Sequence, residues 1–332
     1  MTMTDRFVTL THGTALVVTD LHGDLDAFTR CVTLFHTLRE RGEAQRLIFL
    51  GDLIHGYGPL DRDGSLQMLL RVIKLKEELG ADAVIMLLGN HEMPHIYGIT
   101  LAKGDMEFTS RFENLLGAHR ERVMCFLKSL PFAIRTAAGV LLTHAGPALE
   151  AIRHVDTLRG FDHQALLDET DAWLAQAPDL ALLYRQYSGI HGAPYDELAR
   201  HYLTVEGPDD PRYPHLLRGF IISQQSREFA MLWDMLFTQN EFGLTPTAYL
   251  AGCQQFLSAF SAGAPTPQTV VVSGHIVTPR GFALVNRYHL RVSSAAHARP
   301  REAGMALLLD CAAPVKSADE LLPNLLSVFE DR

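Results

Sequence analysis

The sequence predicts an α/β fold, and two observations support this prediction. Six short apolar runs rich in Val, Ile and Leu have the length and composition of buried strands: ALVVTDLHG, RLIFLGDLI, AVIMLLGNHE, GVLLTHAG, TVVVSGHIV and MALLLD. Between the early runs, apolar residues recur at three- and four-residue spacing, as they do in amphipathic helices. Strands that alternate with helices along the chain indicate an α/β architecture.

Taken in order, the helical periodicity covers Leu25–Arg41 after the first run and Ser65–Leu79 after the second. From about Ala148 to Phe229 the chain has no strand-like run, and two helical patches, HQALLDETDAWLAQ and APYDELARHYL, are separated by EGPDDPRYP. Strands of the earlier kind resume after this segment. We therefore interpret residues 1–332 as a single domain in which residues 148–229 form a mostly helical, cap-like insertion.

Composition narrows the class of protein further. Of 332 residues, 47% are apolar and 20% are charged, which excludes disordered and collagen-like chains. The 29 Lys and Arg against 38 Asp and Glu give a net charge of −9, which argues against a nucleic-acid footprint. Four scattered cysteines without CxxC spacing fit neither a zinc ribbon nor a disulfide framework. The N-terminal run lacks signal-peptide features and no apolar stretch reaches 18 residues, so we expect a cytoplasmic protein without membrane contact. The oligomeric state stays open.

Side chains able to bind metals or transfer protons follow five of the six predicted strands. They are Asp20, His22, Asp52, Asn90, His91, His144 and His275. In α/β sheets such strand ends converge on one edge, where sites are built. Carboxylate, amide and imidazole ligands without thiolate suit Mn²⁺, Fe²⁺ or Zn²⁺ better than Ca²⁺ or an iron–sulfur cluster. The donors exceed the needs of one ion, so we expect two ions about 3.5–4 Å apart with a shared carboxylate, for which Asp52 is the candidate.

Each motif also has a simpler structural explanation. Asp-x-His and Gly-Asp are common in turns after strands, and a histidine between small residues needs only room. LLGNHE is more informative, because Gly, Asn, His and Glu have no packing reason to occur together at a strand end. Five such ends in this order favour a functional site.

The ordered motifs TDLHGD, FLGDLI, LLGNHE, LLTHAG and SGHIV resemble those of the calcineurin-like metallophosphoesterases, from about Val17 to Asp310. AMLWDML, SGHIVTPRGFALVNRYHLRVSSAA and AGMALLLD resemble the phosphoprotein phosphatase (serine/threonine phosphatase-like) branch. The resemblance implies a four-layer sandwich of two mixed β-sheets flanked by helices. It also implies two divalent ions as cofactors, for which we expect Mn²⁺, with Fe or Zn as alternatives.

Carried over motif by motif, the resemblance assigns ligands to each ion. One ion would be held by Asp20, His22 and Asp52, and the other by Asp52, Asn90, His144 and His275. Hydroxide on the metals would attack phosphorus, since two cations neutralise the ester and lower the pKa of bound water.

The same resemblance leaves His91 free of the metals as the general acid toward the leaving oxygen. An imidazole near its unperturbed pKa of about 6.5 suits that role. Glu92 would bind no metal ion and would orient the neighbouring groups of the site.

Departures from the family pattern concern the substrate. Where the branch has GDxxDRG, this chain has GDLIHGYG, so His55 and Gly56 replace the aspartate that orients the catalytic histidine and the arginine that clamps the phosphoryl group. His55 either partners His91, binds a phosphoryl oxygen, or is a solvated loop histidine. In the superfamily the late Gly-His motif often continues to a second histidine two residues on. In this chain Val277 occupies that position, and the protein-phosphatase branch also lacks a second histidine. The candidate substrate-binding residues are Arg62, Arg227, Arg280, Arg287, His297 and Arg299. Arg62 and its neighbour Asp61 belong to the segment LDRDG, which could instead be a polar surface turn.

The expected function is hydrolysis of phosphomonoesters, on a small molecule or on phosphoserine or phosphothreonine of a protein. One alternative is a phosphoanhydride or phosphodiester hydrolase, acting for example on a dinucleoside polyphosphate or a cyclic nucleotide, which the missing arginine keeps open. The other is a non-catalytic metal-binding regulatory module.

Overall fold

The computed structural model describes residues 5–330 and confirms the α/β class. Residues 1–4 and 331–332 of the predicted domain lie outside the described residues. The strands are β1 (Phe7–Leu10), β2 (Thr14–Val18), β3 (Arg46–Phe49), β4 (Val84–Met86), β5 (Ala102–Lys103), β6 (Met106–Glu107), β7 (Ala133–Thr136), β8 (Val140–Thr143), β9 (Val270–Ser273), β10 (Thr278–Pro279), β11 (Phe282–Asn286), β12 (His289–Val292), β13 (Ala298–Arg299), β14 (Met305–Asp310) and β15 (Leu325–Ser327). All six runs predicted as strands form strands.

The α-helices include both of those predicted from periodicity, with bounds that differ by at most one residue. They are α1 (Leu25–Glu40), α2 (Ser65–Leu79), α3 (Met93–Tyr97), α4 (Phe108–Leu116), α5 (Arg120–Ser129), α6 (Val155–Arg159), α7 (His163–Ala175), α8 (Leu180–His191), α9 (Tyr195–Leu203), α10 (His215–Gln225), α11 (Arg227–Phe237), α12 (Asn240–Gly243) and α13 (Pro246–Phe260). Asp24 caps α1 by accepting a hydrogen bond from the Ala27 N–H at 3.0 Å. Gly80, with φ +102°, ends α2.

The chain divides into two compact units. The first comprises Met1–Asn90, Leu130–Phe161 and Met231–Arg332. It contains two mixed sheets, with strand orders β1-β7-β8-β9-β12-β11 and β15-β14-β2-β3-β4. Strands β2, β3 and β4 run parallel, as do β8 and β9, so their carboxyl ends lie at one edge of each sheet.

The two sheets of the first unit pack face to face. Alternate residues such as Val17 of β2 and Val272 of β9 are fully buried in one apolar core between them. On the outer face of the five-stranded sheet, the Phe49 ring stacks on Phe28 of α1 at 5.6 Å. On the outer face of the other sheet, Phe7 of β1 contacts Phe260 of α13 at 5.0 Å. The order helix, sheet, sheet, helix is the predicted four-layer sandwich.

The second unit comprises His91–Ser129 and Asp162–Ala230 and is mainly helical, with the short β5–β6 hairpin. Its core includes the aromatic rings of Tyr187, Tyr195 and Tyr213. The insertion predicted over residues 148–229 overlaps this unit, which begins at 162 on that side and also includes 91–129. In the described part of the chain, no helix combines the length and the hydropathy that a membrane span requires.

Candidate metal centre

The turns that follow β2 and β3 are joined by backbone hydrogen bonds. The N–H groups of Leu21 and His22 both donate to the Asp52 carbonyl at 3.0 Å. His22 and Asp52 have φ of +44° and +53°, a left-handed conformation that turns the chain sharply after each strand. The turns after β2 and β3, whose motifs are 30 residues apart in the sequence, thus form one rigid unit, called the rim below.

Two glycines allow backbone segments at this rim to come close. A Cβ on Gly51, which has φ +96°, would lie 2.6 Å from the Gly89 Cα. A Cβ on Gly274 would lie 2.0 Å from Asp20 Oδ2. Only glycine fits at either place, because real Cβ atoms do not approach other atoms so closely. The strand ends can converge for this reason.

The Asp20 side of the centre is held by main-chain donors and acceptors. The His275 N–H donates to both Asp20 carboxylate oxygens, at 3.1 and 2.9 Å. His22 Nδ1 donates to the Ile54 carbonyl at 3.1 Å, which orients Nε2 toward Asp52 Oδ2 at 3.8 Å. A ring nitrogen that donates to a backbone carbonyl while the other faces a carboxylate is typical of metal-binding histidines.

The other side consists of Asn90, His144, His275 and the same Asp52. His144 Nδ1 lies 2.8 Å from the Leu50 carbonyl, so it carries the proton and Nε2 has a lone pair. That Nε2 lies 2.7 Å from Asn90 Oδ1 and 3.5 Å from Asp52 Oδ2. Three atoms that only accept hydrogen bonds therefore face one another, which favours a cation between them.

All six predicted metal ligands meet at this rim. Ligand atoms of Asp52, His144 and His275 lie within 4.8 Å of one another, and so do those of Asp20, His22 and His297. Ligand atoms that each lie about 2.0–2.2 Å from one shared ion must also lie within a few ångströms of one another, as these atoms do. The donor set and its geometry fit two divalent ions with Asp52 common to both.

Burial keeps the histidines of the centre neutral. Desolvation lowers the pKa of His22 to about 3, and that of His275 to about 3, and it also lowers the pKa of His144. Burial alone would raise the pKa of the Asp20 carboxyl, but His297, His144 and His22 together lower it below its ordinary value. At neutral pH His22, His144 and His275 are therefore neutral and Asp20 is charged, which are the forms that bind metals.

The metal-free protein is expected to lose stability as pH falls from 7 to 4. Unfolded histidines take up protons near their ordinary pKa of 6.5, whereas His22, His275 and the buried His289 stay neutral in the fold because their pKa values are lowered. The unfolded state then binds more protons, and each group lowers the free energy of unfolding by up to about 1.4 kcal/mol per pH unit below 6.5. Urea unfolding in EDTA across this range measures the slope. His289→Gln should give a shallower slope, and a flat profile in the parent protein would contradict the shifts.

The predicted catalytic residues occupy different units. His91 is the first residue of the second unit, partly exposed, with its ring 5.3 Å from Phe108. Glu92 is fully buried just before α3. His55 is buried in the first unit with φ +74°, and its N–H donates to Ser65 Oγ at 2.8 Å. Their catalytic roles stay predictions.

The predicted arginines are all exposed. Arg62 ends a short 3-10 helix after Asp61, which is also exposed and fits a surface turn. Arg227 begins α11 in the second unit. Arg280 has its N–H bonded to the Arg299 carbonyl at 3.2 Å, and Arg299 Nη1 donates to the carbonyls of Ala296 and Ala298. Their substrate contacts stay predictions.

Sequence reasoning missed three contacts at the centre. The Tyr57 ring, 46% exposed, lies edge-on to His22 at 5.4 Å, and burial together with Asp52 and Asp20 raises the pKa of its phenol. His297, predicted as a substrate contact, lies 3.4 Å from Asp20 Oδ1. Arg291 is buried, forms an ion pair with Glu241 and donates from Nε to the Gly274 carbonyl at 3.1 Å. The position of Tyr57 just after the Gly-Asp motif was the one available signal.

Comparison with known proteins agrees with this geometry. A family model described as calcineurin-like phosphoesterase matches residues 13–213. No curated protein sequence matches the chain. Among solved structures, a protein serine/threonine phosphatase from Saccharomyces cerevisiae with similarity to human phosphatase PP5 has a TM-score of 0.52 at 14% identity, covering 97% of this chain and 82% of that one. At this identity the likeness shows a common fold.

Two cold-active protein tyrosine phosphatase structures are also similar. One has a TM-score of 0.47 at 16% identity, covering 92% of this chain and 77% of that one. The other, from a psychrophilic Shewanella species, has a TM-score of 0.41 at 17% identity, covering 92% and 79%.

Proposed function

The chain belongs to the calcineurin-like phosphoesterase family of hydrolases, and from this premise we propose that it hydrolyses phosphomonoesters with two divalent metal ions, Mn²⁺ first among the candidates. The observation that carries the proposal is the place of Asp52. Its Oδ2 lies 3.8 Å from His22 Nε2 on one side and 3.5 Å from His144 Nε2 on the other. A carboxylate between two imidazole groups supports a bridged pair of ions.

The chemistry divides between the ions and the side chains. When bound, two cations neutralise the charge of a phosphate ester and lower the pKa of bound water. The buried histidines and aspartates hold the ligand geometry fixed, since His22 and His144 are oriented by the Ile54 and Leu50 carbonyls. We infer that His91, next in the chain to Asn90, gives its proton to the leaving oxygen, and that buried Glu92 and His55 position it.

The substrate is proposed as a phosphorylated small molecule or a phosphoserine or phosphothreonine side chain. The resemblance of AMLWDML and the β11–β12 segment to the phosphoprotein phosphatases supports the protein substrate. The alternative, a phosphoanhydride or phosphodiester, is favoured by the GDLIHGYG loop, which lacks the phosphoryl-clamping arginine. Arg62, Arg227, Arg280 and Arg299 are the proposed substrate contacts to test.

The proposal is tested by metal content and turnover together. Protein purified without chelator is loaded with Mn²⁺, analysed for metal, and assayed with p-nitrophenyl phosphate and bis-p-nitrophenyl phosphate. We expect about two ions per chain and turnover of the monoester. Turnover of the bis-ester alone would favour the diesterase alternative. Fewer than one ion, with no turnover of either ester, would contradict the dinuclear proposal.

His91→Ala is expected to lower monoester turnover by about 10²–10⁴-fold and to leave metal content unchanged, because a general acid contributes that much to rate and binds no ion. A leaving group of low pKa, such as p-nitrophenol, should be less affected than phenol. His119→Ala, which removes an exposed histidine of the same unit, is the control. If His91→Ala loses a metal ion instead, His91 is a ligand and another residue is the acid.

A further inference from the structure

We propose that His297 is a metal ligand that completes the Asp20 side of the centre. This inference rests on the two-ion centre of the proposed function. It replaces the role of substrate contact that the sequence suggested for His297. Three independent features carry it: the position of the imidazole, the strand pairing that delivers it, and the balance of ligands between the two sides.

The imidazole of His297 lies among the ligands of one ion. Its Nδ1 is 3.4 Å from Asp20 Oδ1, and its ring centre is 5.1 Å from that of His22. Within residues 5–330, this buried Nδ1 has no hydrogen-bond partner. The side chain is only 12% exposed. Burying a polar nitrogen without a partner is costly, and a cation shared with Asp20 removes that cost.

Strand pairing explains why a residue so late in the sequence reaches this place. β10 and β13 run parallel with Thr278 opposite Ala298, and the Thr278 N–H donates to the His297 carbonyl at 2.9 Å. His297 therefore lies beside Val277, the position two residues after the Gly-His motif. The Val277 side chain is 49% exposed and offers no ligand atom. The neighbouring strand thus supplies an imidazole where the motif itself has none.

The segment that carries His297 is fixed to the segment that carries Asp20. The Ala296 N–H donates to the Asp20 carbonyl at 3.2 Å. Thr19 and Ser294 exchange two hydrogen bonds, from Thr19 N–H to Ser294 Oγ at 2.9 Å and from Ser294 N–H to Thr19 Oγ1 at 3.0 Å. These bonds hold the two segments in register. A ligand site needs such support, because affinity depends on donor geometry.

The ligand count supports the same assignment. On one side Asn90, His144 and His275 accompany Asp52, which makes four protein ligands. On the other, Asp20 and His22 with the shared Asp52 make three, and His297 makes four. Equal sets predict that both ions bind with comparable affinity.

The test measures metal binding in the full-length protein, without reference to turnover. Metal-free protein is titrated calorimetrically with Mn²⁺, and bound metal is counted by elemental analysis after desalting. For His297→Ala we expect one ion retained and the affinity for the other weakened by at least about 100-fold, beyond the roughly 10–100-fold loss typical of residues that only orient a ligand. Imidazole added to the variant should restore part of the lost affinity.

Two further variants test whether the loss of metal affinity has another cause. His297→Gln preserves the bulk of the side chain, and unfolding of both variants in EDTA should match the parent protein. His12→Ala removes an exposed histidine of the same unit and should bind both ions normally. Equal weakening in His12→Ala would overturn the proposal, as would two tightly bound ions in His297→Ala with only KM raised. A parent protein that binds two ions without hydrolysing any ester would refute the proposed function and leave this inference standing.

Discussion

Replacing Asp52 by Asn is expected to give the largest loss of activity of any single substitution in this chain. The amide keeps the size of the side chain, and asparagine tolerates the φ of +53° at this position, so the fold should persist. The change removes the charge between His22 and His144 that we propose holds both ions. Monoester turnover should fall by at least about 10³-fold, since a metal ion contributes several kcal/mol and 1.4 kcal/mol corresponds to a factor of ten.

Metal content separates this explanation from misfolding. Asp52→Asn should retain at most one ion while its far-ultraviolet circular dichroism matches that of the parent. Asp310→Asn is the matched control, because Asp310 also ends a strand of the first unit but is exposed and pairs with Thr14, at the opposite end of β2 from Asp20. Two tightly bound ions and near-normal turnover in Asp52→Asn would show that the bridging carboxylate lies elsewhere.

The sequence predicted the fold, and it placed the proposed metal ligands at strand ends, because both depend on local patterns. Runs such as RLIFLGDLI give a strand and the turn after it, and a ligand at that turn is placed by two or three backbone angles. Parallel neighbours then bring the turns to one edge. Asp20 and Asp52 meet for this reason, whereas His144 follows β8 of the other sheet and reaches Asp52 through the packing of the two sheets.

What the sequence could not predict depends on contacts between distant segments. His297 approaches Asp20 through the pairing of two-residue strands, β10 and β13, which are too short to show any periodicity. The predicted insertion covers residues 148–229 only, whereas residues 91–129, which directly follow a strand end in the sequence, also belong to the helical unit. Phosphoryl-binding arginines are long and flexible, and their reach does not follow from position in the chain.

Removing one partner of the ion pair between Arg291 and Glu241 is expected to cost more stability than any other change to a charged side chain of the first unit. Both side chains are almost fully buried, and Arg291 also donates to the Gly274 carbonyl, beside the proposed ligand His275. Glu241→Gln leaves an uncompensated buried guanidinium, so it should lower the free energy of unfolding by about 3–5 kcal/mol.

The double variant Arg291→Met with Glu241→Leu distinguishes a stabilising pair from a positioning one. Apolar replacements of similar volume often restore stability, so unfolding by urea should return toward the parent value. Metal affinity should be lower than in the parent protein, because Met donates no hydrogen bond to the Gly274 carbonyl and the turn that carries His275 is held less firmly. Arg30→Met, which breaks the exposed pair of Arg30 with Asp26, should cost about 1 kcal/mol or less. If the double variant instead regains both stability and metal affinity, the buried pair has no part in holding the centre, and the fold of the turn rests on Gly274 alone.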